Sequence, residues 1–278
     1  MKAILTHKEL INTTVQRLKQ YEPPEGYYLA FGGGKDSIVL KKLADMAGVK
    51  YDAHYNNTTI DPIELVKYIR KEHPDVIEHK PKDSFLKLLR STNYGYPTSL
   101  RRWCCRIFKE VGGIDRLVIT GIRHEESARR KGRALFESST RYNKKTFMHP
   151  IIDWREIDVW EFIEEYKLPY CEIYDWGYDR IGCVFCPLKA AHLRRMDLIY
   201  FPKWKKPFIA SFNKLYESLK VKGDRVCSVC KNGEELFYWW LDYLKNSKIM
   251  RDQKVNEESG QSIIKFKDKI INTETLNP

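Results

Sequence analysis

Over the first half of the chain, short runs of apolar and β-branched residues alternate with longer stretches whose apolar positions recur every three or four residues. Tyr27–Phe31, Tyr51–His54, Val76–Glu78 and Arg116–Thr120 read as strands, and Ser37–Met46, Pro62–Glu72 and Ser84–Arg90 as helices among them. Such alternation predicts an α/β fold, a Rossmann-like parallel sheet covered by helices. After Trp154 the pattern changes. Ile157–Tyr166 predicts an amphipathic helix, a loop rich in Asp, Gly and Cys follows, and residues 187–245 read as mostly helical. The expected organisation is an α/β domain over residues 1–165, a cysteine-containing loop and helical region over 166–245, and a polar tail over 246–278. No internal repeat or low-complexity segment interrupts it.

A chain of 278 residues can bury a sizeable core. Its mean hydropathy is −0.54, and no apolar run approaches the roughly 20 residues of a membrane-spanning helix. Lys2, His7, Lys8, Glu9, Arg17 and Lys19 break up the apolar residues of the N-terminus, unlike the core of a secretion signal. The expectation is a cytoplasmic protein with no membrane partner.

Charge changes the picture of partners. The formal balance is +12, and it is local: residues 101–145 hold 13 Lys/Arg against 5 Asp/Glu, and residues 187–225 hold 10 against 3. Concentrated basicity suits a polyanionic partner such as nucleic acid, or a phosphorylated substrate, and charge alone suits equally a solvated surface that merely aids solubility. Tyr200, Phe201, Trp204, Phe208 and Phe212 interleave the second block, a pattern that suits base stacking and a helical core equally.

Gly32, Gly33 and Gly34 fall between a predicted strand and a predicted helix, followed by Lys35, Asp36 and Ser37. Consecutive glycines reach backbone conformations closed to other residues, so several N–H groups can converge on one anion at a helix N-terminus. Phosphate is the natural guest. Lys35 adds a cation, Ser37 can cap the helix or bond a phosphate oxygen, and Asp36 can bind Mg²⁺ or brace the loop. The alternative is a purely structural turn.

Gly32–Ser37 resembles the pyrophosphate loop, Ser-Gly-Gly-x-Asp-Ser, of the adenine-nucleotide α-hydrolase superfamily, which includes N-type ATP pyrophosphatases and the phosphoadenosine phosphosulfate (PAPS) reductases. Gly32 stands where the superfamily has its first Ser. The resemblance implies an adenine-nucleotide site for ATP or an adenylyl-sulfate-type nucleotide. It also covers Gly121-Ile-Arg123-His-Glu-Glu126-Ser-Ala-Arg129, similar to a segment facing nucleotide phosphate or sulfate. There Arg123 and Arg129 can grip oxygens in bidentate fashion and Glu126 can orient them; the alternative is an exposed salt-bridged turn. Asn57, Thr58 and Asp61 match the adenosine-side loop loosely, and His149–Trp154 matches the run into the helix after the sheet. In all, the resemblance covers about residues 25–190.

Six of the seven cysteines fall in close pairs, Cys104-Cys105, Cys183/Cys186 and Cys227/Cys230, which in a reducing compartment points to metal or thiol chemistry. Adjacent side chains diverge too far to chelate one small ion comfortably. They can reach different irons of a four-iron cubane, and a Cys-x-x-Cys turn can supply the other two thiolates. Cys-Cys, a long gap and Cys-x-x-Cys on such a fold resembles the iron–sulfur adenylyl-sulfate reductases and the related sulfur-inserting proteins of DNA phosphorothioation, and the resemblance implies a [4Fe–4S] cluster on Cys104, Cys105, Cys183 and Cys186. Two alternatives stay open: a zinc on Cys183, Cys186, Cys227 and Cys230, or a redox dithiol or sulfur carrier on Cys227 and Cys230. Cys171, alone, is expected to be a small buried apolar residue.

The mobile Glu-Cys-Gly-Ile/Leu-His motif of sulfonucleotide reductases does not occur in this sequence. A direct reductase would then need Cys227 or Cys230 as a substitute nucleophile, and with two basic blocks and an intact Lys35-Asp36-Ser37 the preferred chemistry is ATP-dependent activation with sulfur transfer to an acceptor such as nucleic acid, carried by Lys35, Asp36 and Arg123, with sulfur held on the cluster or on Cys227 and Cys230. A reductase releasing sulfite is the alternative, and a non-catalytic nucleotide or redox sensor a third reading. Expected partners are the nucleotide, nucleic acid, a sulfur donor or thioredoxin-like reductant, and a second copy of the chain in a homodimer.

Overall fold

A computed structural model describes residues 5–91, 94–139 and 145–242. Its first helix, α1 (His7–Gln20), begins in a reciprocal cap: the Glu9 N–H donates to the Thr6 hydroxyl, and the Thr6 N–H and hydroxyl donate back to the Glu9 carboxylate. Leu10, Ile11, Thr14 and Leu18 form its buried face. Sequence reading passed over this helix, although the cap and the spacing are both written in the residues.

The next elements are β1 (Tyr27–Ala30), α2 (Lys35–Ala47), β2 (Tyr51–Asn56), α3 (Ile63–Glu72), β3 (Ile77–His79), α4 (Phe85–Leu89) and β4 (Leu117–Ile119). They match the expected alternation with ends displaced by one or two residues. β5 (Phe136–Ser139) and β6 (Lys145–Met148) were not expected, because their short polar strands carry little alternation. The six strands form one sheet in the order β3-β2-β1-β4-β6-β5. All neighbours run parallel except β5, which pairs antiparallel with β6, so the fully parallel sheet becomes a mostly parallel one with an antiparallel edge.

In this order the chain reverses direction of growth at β1 and β4. The loops after these two strands share the carboxyl edge at the switch point, where open α/β sheets leave a crevice. Glycine makes the crevice fit. Gly33 has φ +68°, and a Cβ on it would come within 2.8 Å of the Ile69 and Leu65 side chains of α3. A Cβ on Gly121, after β4, would lie 2.9 Å from the Asp36 backbone, so the second loop presses directly on the start of α2.

Past β6 the chain docks on α1, where the Trp154 indole N–H donates to the Thr14 hydroxyl at 3.0 Å and Arg17 pairs with Asp153 at 2.6 Å. Then come α5 (Glu156–Glu165), α6 (Ala191–Tyr200), α7 (Pro202–Val221) and α8 (Gly233–Leu241), as the helical expectation required. Aromatic packing joins these helices to the sheet domain. Phe208 of α7 lies 5.9 Å from Phe85 of α4, 5.2 Å from Phe185, 6.0 Å from Phe237 and 6.3 Å from Trp240 between ring centroids. Phe201, Phe208 and Phe212 are buried, so core packing claims most of the aromatic set that equally suited base stacking. Among the described residues no helix is long and apolar enough to cross a membrane. The polar tail expected over 246–278 lies outside the described residues.

Candidate active site

The crevice opens into a cavity of about 750 Å³, and its walls bring together residues that stand far apart in sequence. Lys35 and Asp36 line it from the start of α2. Arg123, Glu125 and Glu126 contribute from the loop after β4, and Cys104, Cys105, Cys183 and Cys186 line it together with Arg102 and Lys109.

At the glycine loop, Gly34 occupies the N-cap position of α2 without a capping side chain of its own, and the first helical N–H, that of Lys35, donates instead to the Tyr174 hydroxyl at 2.9 Å. Ser37 sits inside the helix. Its hydroxyl donates to the Gly34 carbonyl at 2.8 Å and accepts from the Gly32 N–H at 3.3 Å, so it braces the turn instead of capping the helix. Around Gly32 a Cβ would meet nothing within 4 Å, so the glycine is not required there by crowding.

Behind the loop lies a charged network. Lys35, 3% exposed, pairs with Glu156 at 3.1 Å and donates to the Asp179 carbonyl at 2.5 Å. Arg123, 1% exposed, donates to Asp36 and to Glu156, each at 2.6 Å. Burial pushes the Asp36 carboxyl up, with Arg123 and Lys35 opposing it. Burial works the same way on Glu156, but there Lys35 and Arg123 prevail and hold the carboxyl below its usual range. Both cations are thus fixed in place by acids before any ligand arrives. Asp36 thus pairs across the crevice with Arg123 of the loop after β4, a contact that was not expected of it.

The arginine reading needs one correction. Arg129 is exposed and does not line the cavity, whereas Arg130 does. After the short turn His124–Glu126 the Arg130 N–H bonds the Ser127 carbonyl at 2.8 Å, and the i,i+4 spacing sets Arg130 against Glu126. Arg102, Lys109, Glu156 and Arg180, which also line the cavity, were missed by sequence reading. Their positions depend on loop closure between distant segments, although Arg102 directly precedes the Trp-Cys-Cys run.

Cys104 and Cys105 enter on a wide-wound helical turn, Cys105–Lys109. The two thiols share a hydrogen bond that raises Cys104, with burial adding to it, and lowers Cys105, with Arg102 and Lys109 assisting against burial. The Arg102 guanidinium donates to the Cys105 sulfur at 3.4 Å. Cys183 bonds the Thr58 hydroxyl at 3.5 Å, which brings one residue of the loosely matched adenosine-side loop to the thiols. The turn Cys183–Cys186 is pinned at its two central residues. The Val184 N–H donates to the Ile60 carbonyl at 2.8 Å, and the Phe185 N–H, on a residue with φ +57°, donates to Asp197 at 2.7 Å. Asp197 is completely buried and also accepts from Lys189 at 2.8 Å and from the Tyr178 hydroxyl at 3.1 Å.

Among the described residues no three of the cysteine sulfurs lie within 4.8 Å of one another. A tetrahedral zinc with bonds of about 2.3 Å would draw its sulfurs to about 3.8 Å; thiolates that each hold a different iron stand further apart. Four thiols on one cavity wall, with the cations Arg102 and Lys109 beside them, form a donor set whose chemistry suits an anionic iron–sulfur cluster. Of the alternative zinc set, Cys183 and Cys186 line the cavity and the other two cysteines do not. Cys227 and Cys230 are absent from the cavity wall, and burial raises both thiols, Cys230 to about 12, the reverse of an activated Cys-x-x-Cys pair. Cys171 is 1% exposed, the small core residue expected of it.

Comparison with known proteins bears on both halves of the cavity. A protein of Methanocaldococcus jannaschii described as uncharacterized is 32% identical over 194 residues, 64% of this chain and 40% of that one. An adenosine 5'-phosphosulfate reductase of Oceanobacillus iheyensis is 30% identical over 153 residues, 52% of this chain and 62% of that one. The chain therefore spans less than two thirds of either relative. The solved phosphoadenylyl-sulfate (PAPS) reductase of Candida auris, a phosphate complex, is 18% identical with a TM-score of 0.47, covering 66% of this chain and 98% of that one. Residues 26–189 match the phosphoadenosine phosphosulfate reductase domain. That stretch runs unbroken from the first strand of the sheet to the end of the Cys-x-x-Cys turn, and by it the chain belongs to the phosphoadenosine phosphosulfate reductase family.

Proposed function

We propose that the protein is an enzyme of sulfur metabolism that binds an adenine nucleotide at the glycine loop, holds a [4Fe–4S] cluster on Cys104, Cys105, Cys183 and Cys186, and couples ATP-dependent activation to sulfur transfer. The observation that carries the reading is the single cavity whose wall includes Lys35, Asp36 and Arg123 together with those four cysteines.

In this reading the α2 N-terminus and Lys35 grip the nucleotide phosphates, Arg123 neutralises charge that develops on them, and Asp36 is the carboxylate nearest an incoming Mg²⁺. An acceptor oxygen attacks the α-phosphorus, the bond to pyrophosphate breaks and pyrophosphate leaves. Hydrosulfide-level sulfur from a donor then attacks the adenylated centre, the new bond to sulfur forming as the bond to the adenylate oxygen breaks, and AMP leaves. The cluster, when bound, supplies a site where sulfur is held at the cysteine end of the cavity. Arg102 and Lys109 offset negative charge there. Nucleic acid is the acceptor class best matched by the exposed cations Arg195, Lys203, Lys206 and Lys214 of the second basic block.

The lining also bears on a second reading, a reductase releasing sulfite, which the reductase relative favours. Cys227 and Cys230, the thiols expected to handle sulfur, lie outside the cavity wall, and the four cysteines on it are the proposed ligands. A direct thiol attack on a sulfonucleotide therefore lacks its nucleophile in this set, which supports activation.

Supplying anaerobic protein with Mg²⁺, reductant and either ATP or adenylyl sulfate separates the readings. Pyrophosphate release that rises with added DNA or RNA is the expected result. Sulfite from adenylyl sulfate would establish the reductase, and tight nucleotide binding without either product would establish a sensor. Lys35→Ala removes a buried cation and its charge-assisted bonds, so nucleotide affinity should fall about 10- to 100-fold by calorimetry. Unchanged affinity would displace the pocket from the glycine loop.

A further inference from the structure

The amide and ammonium groups best placed to receive phosphate are already engaged by the chain itself. The Lys35 N–H donates to the Tyr174 hydroxyl at 2.9 Å, and the Lys35 ammonium donates to the Asp179 carbonyl at 2.5 Å. That ammonium stands 5.2 Å from the centre of the Tyr174 ring. A Cβ on Gly34 would lie 3.3 Å from the same hydroxyl, so the phenol oxygen rests over the glycine turn. Tyr174 is held in position by an edge contact with Trp160 at 5.1 Å. Its segment is anchored beyond the loop by Tyr178, whose hydroxyl bonds Asp197, the carboxylate that also holds the Cys183–Cys186 turn.

We propose that the Tyr174 hydroxyl occupies the place of a phosphate oxygen on the glycine loop, and that the phosphates of a bound nucleotide displace it from the Lys35 amide. The proposal rests on the nucleotide reading above and adds the residue that competes with the ligand. A phenol oxygen and a phosphate oxygen accept from the same N–H, but the phosphate also brings charge to the Lys35 ammonium, and its bonds are the stronger. Binding therefore exchanges a neutral internal bond for a charge-assisted one, and the internal bond subtracts from affinity. Without the hydroxyl, the free protein leaves the Lys35 N–H without that acceptor. The ligand then has no competitor to remove.

The test is titration calorimetry of ATP and of inorganic pyrophosphate, each with Mg²⁺, into the wild type, Tyr174→Phe and Tyr170→Phe. Phenylalanine keeps the ring and its contacts. The expected result is tighter binding of both probes by Tyr174→Phe, about three- to tenfold, the worth of one hydrogen bond. Tyr170→Phe, whose hydroxyl bonds Asp175 at 3.0 Å, should match the wild type. A residue with only a structural role could weaken binding but not strengthen it. Equal or weaker binding by Tyr174→Phe, beside a wild type that binds, overturns the proposal and leaves the nucleotide reading intact. Failure of all three proteins to bind either probe overturns both.

Discussion

Cys186→Ser should yield a colourless protein, with iron and sulfide lost from an anaerobic preparation, while far-UV circular dichroism stays that of the wild type. The loss is expected because serine replaces one of the four thiolate anchors of the cubane with a poorer donor for iron. The fold survives because the turn does not depend on that sulfur. Its backbone is fixed by the Val184 bond to Ile60 and the Phe185 bond to Asp197, and Phe185 itself is fully buried against Phe208 and Phe237. Cys227→Ser and Cys230→Ser, away from the cavity wall, should keep the colour. A Cys186→Ser protein with its full complement of iron would remove that residue from the ligand set.

Asp197→Ala should be the most damaging substitution to stability. This completely buried carboxylate accepts from an ammonium, a hydroxyl and a backbone N–H, and none of the three donors is relieved by a methyl group. The Lys189 ammonium, with its side chain 8% exposed, would be left as an uncompensated buried charge. Breaking such a pair from one side costs about 3–5 kcal/mol. Phe185 adds to this, since a non-glycine residue in the left-handed region costs about 1–2 kcal/mol and here its N–H is tied down by Asp197. Urea denaturation should show the midpoint fall without a change in slope. Asp197→Asn, which keeps an acceptor for the Phe185 N–H but loses the charge facing Lys189, should fall between the two. A loss under about 1 kcal/mol in the alanine variant would mean that Asp197 is not what fixes the Cys183–Cys186 turn.

The parts of this architecture that were legible in the sequence are those encoded locally. β1, α2, β2 and α3 announce themselves through short apolar runs, helical spacing and a glycine turn, and the close cysteine pairs are visible as spacing, whereas the grouping of Cys104-Cys105 with Cys183/Cys186 on one wall needed the fold. What escaped depends on partners distant in the chain. β5 and β6 carry Glu137, Ser138, Lys145 and Thr146 within four-residue strands, too polar and too short to show a period of two. Glu156 looks in sequence like an ordinary helix-start acid, yet the fold makes it the shared partner of Lys35 and Arg123. Arg129 and Arg130 are indistinguishable by composition, and only the turn after Glu126 decides which of them faces the cavity.

Helix α1 is a different case. Thr6, Glu9 and the buried positions Leu10, Ile11, Thr14 and Leu18 give both a cap and a face, so the signal was present and local. The interleaved aromatics of α7 show the limit from the other side: one pattern served two purposes, and packing against α4 and α8 was needed to assign Phe208 and Phe212 to the core.

The account stands on the juxtaposition of a nucleotide-gripping turn and four cluster-bearing thiolates in one cavity. Its most direct test is anaerobically purified protein assayed for iron, sulfide and zinc, with the visible spectrum recorded before and after ATP and adenylyl sulfate. The account predicts about four irons and four sulfides per chain, absorption near 400 nm, and a spectrum perturbed by at least one of the two nucleotides. Zinc in place of iron, or an iron–sulfur spectrum indifferent to both nucleotides at saturation, would contradict it.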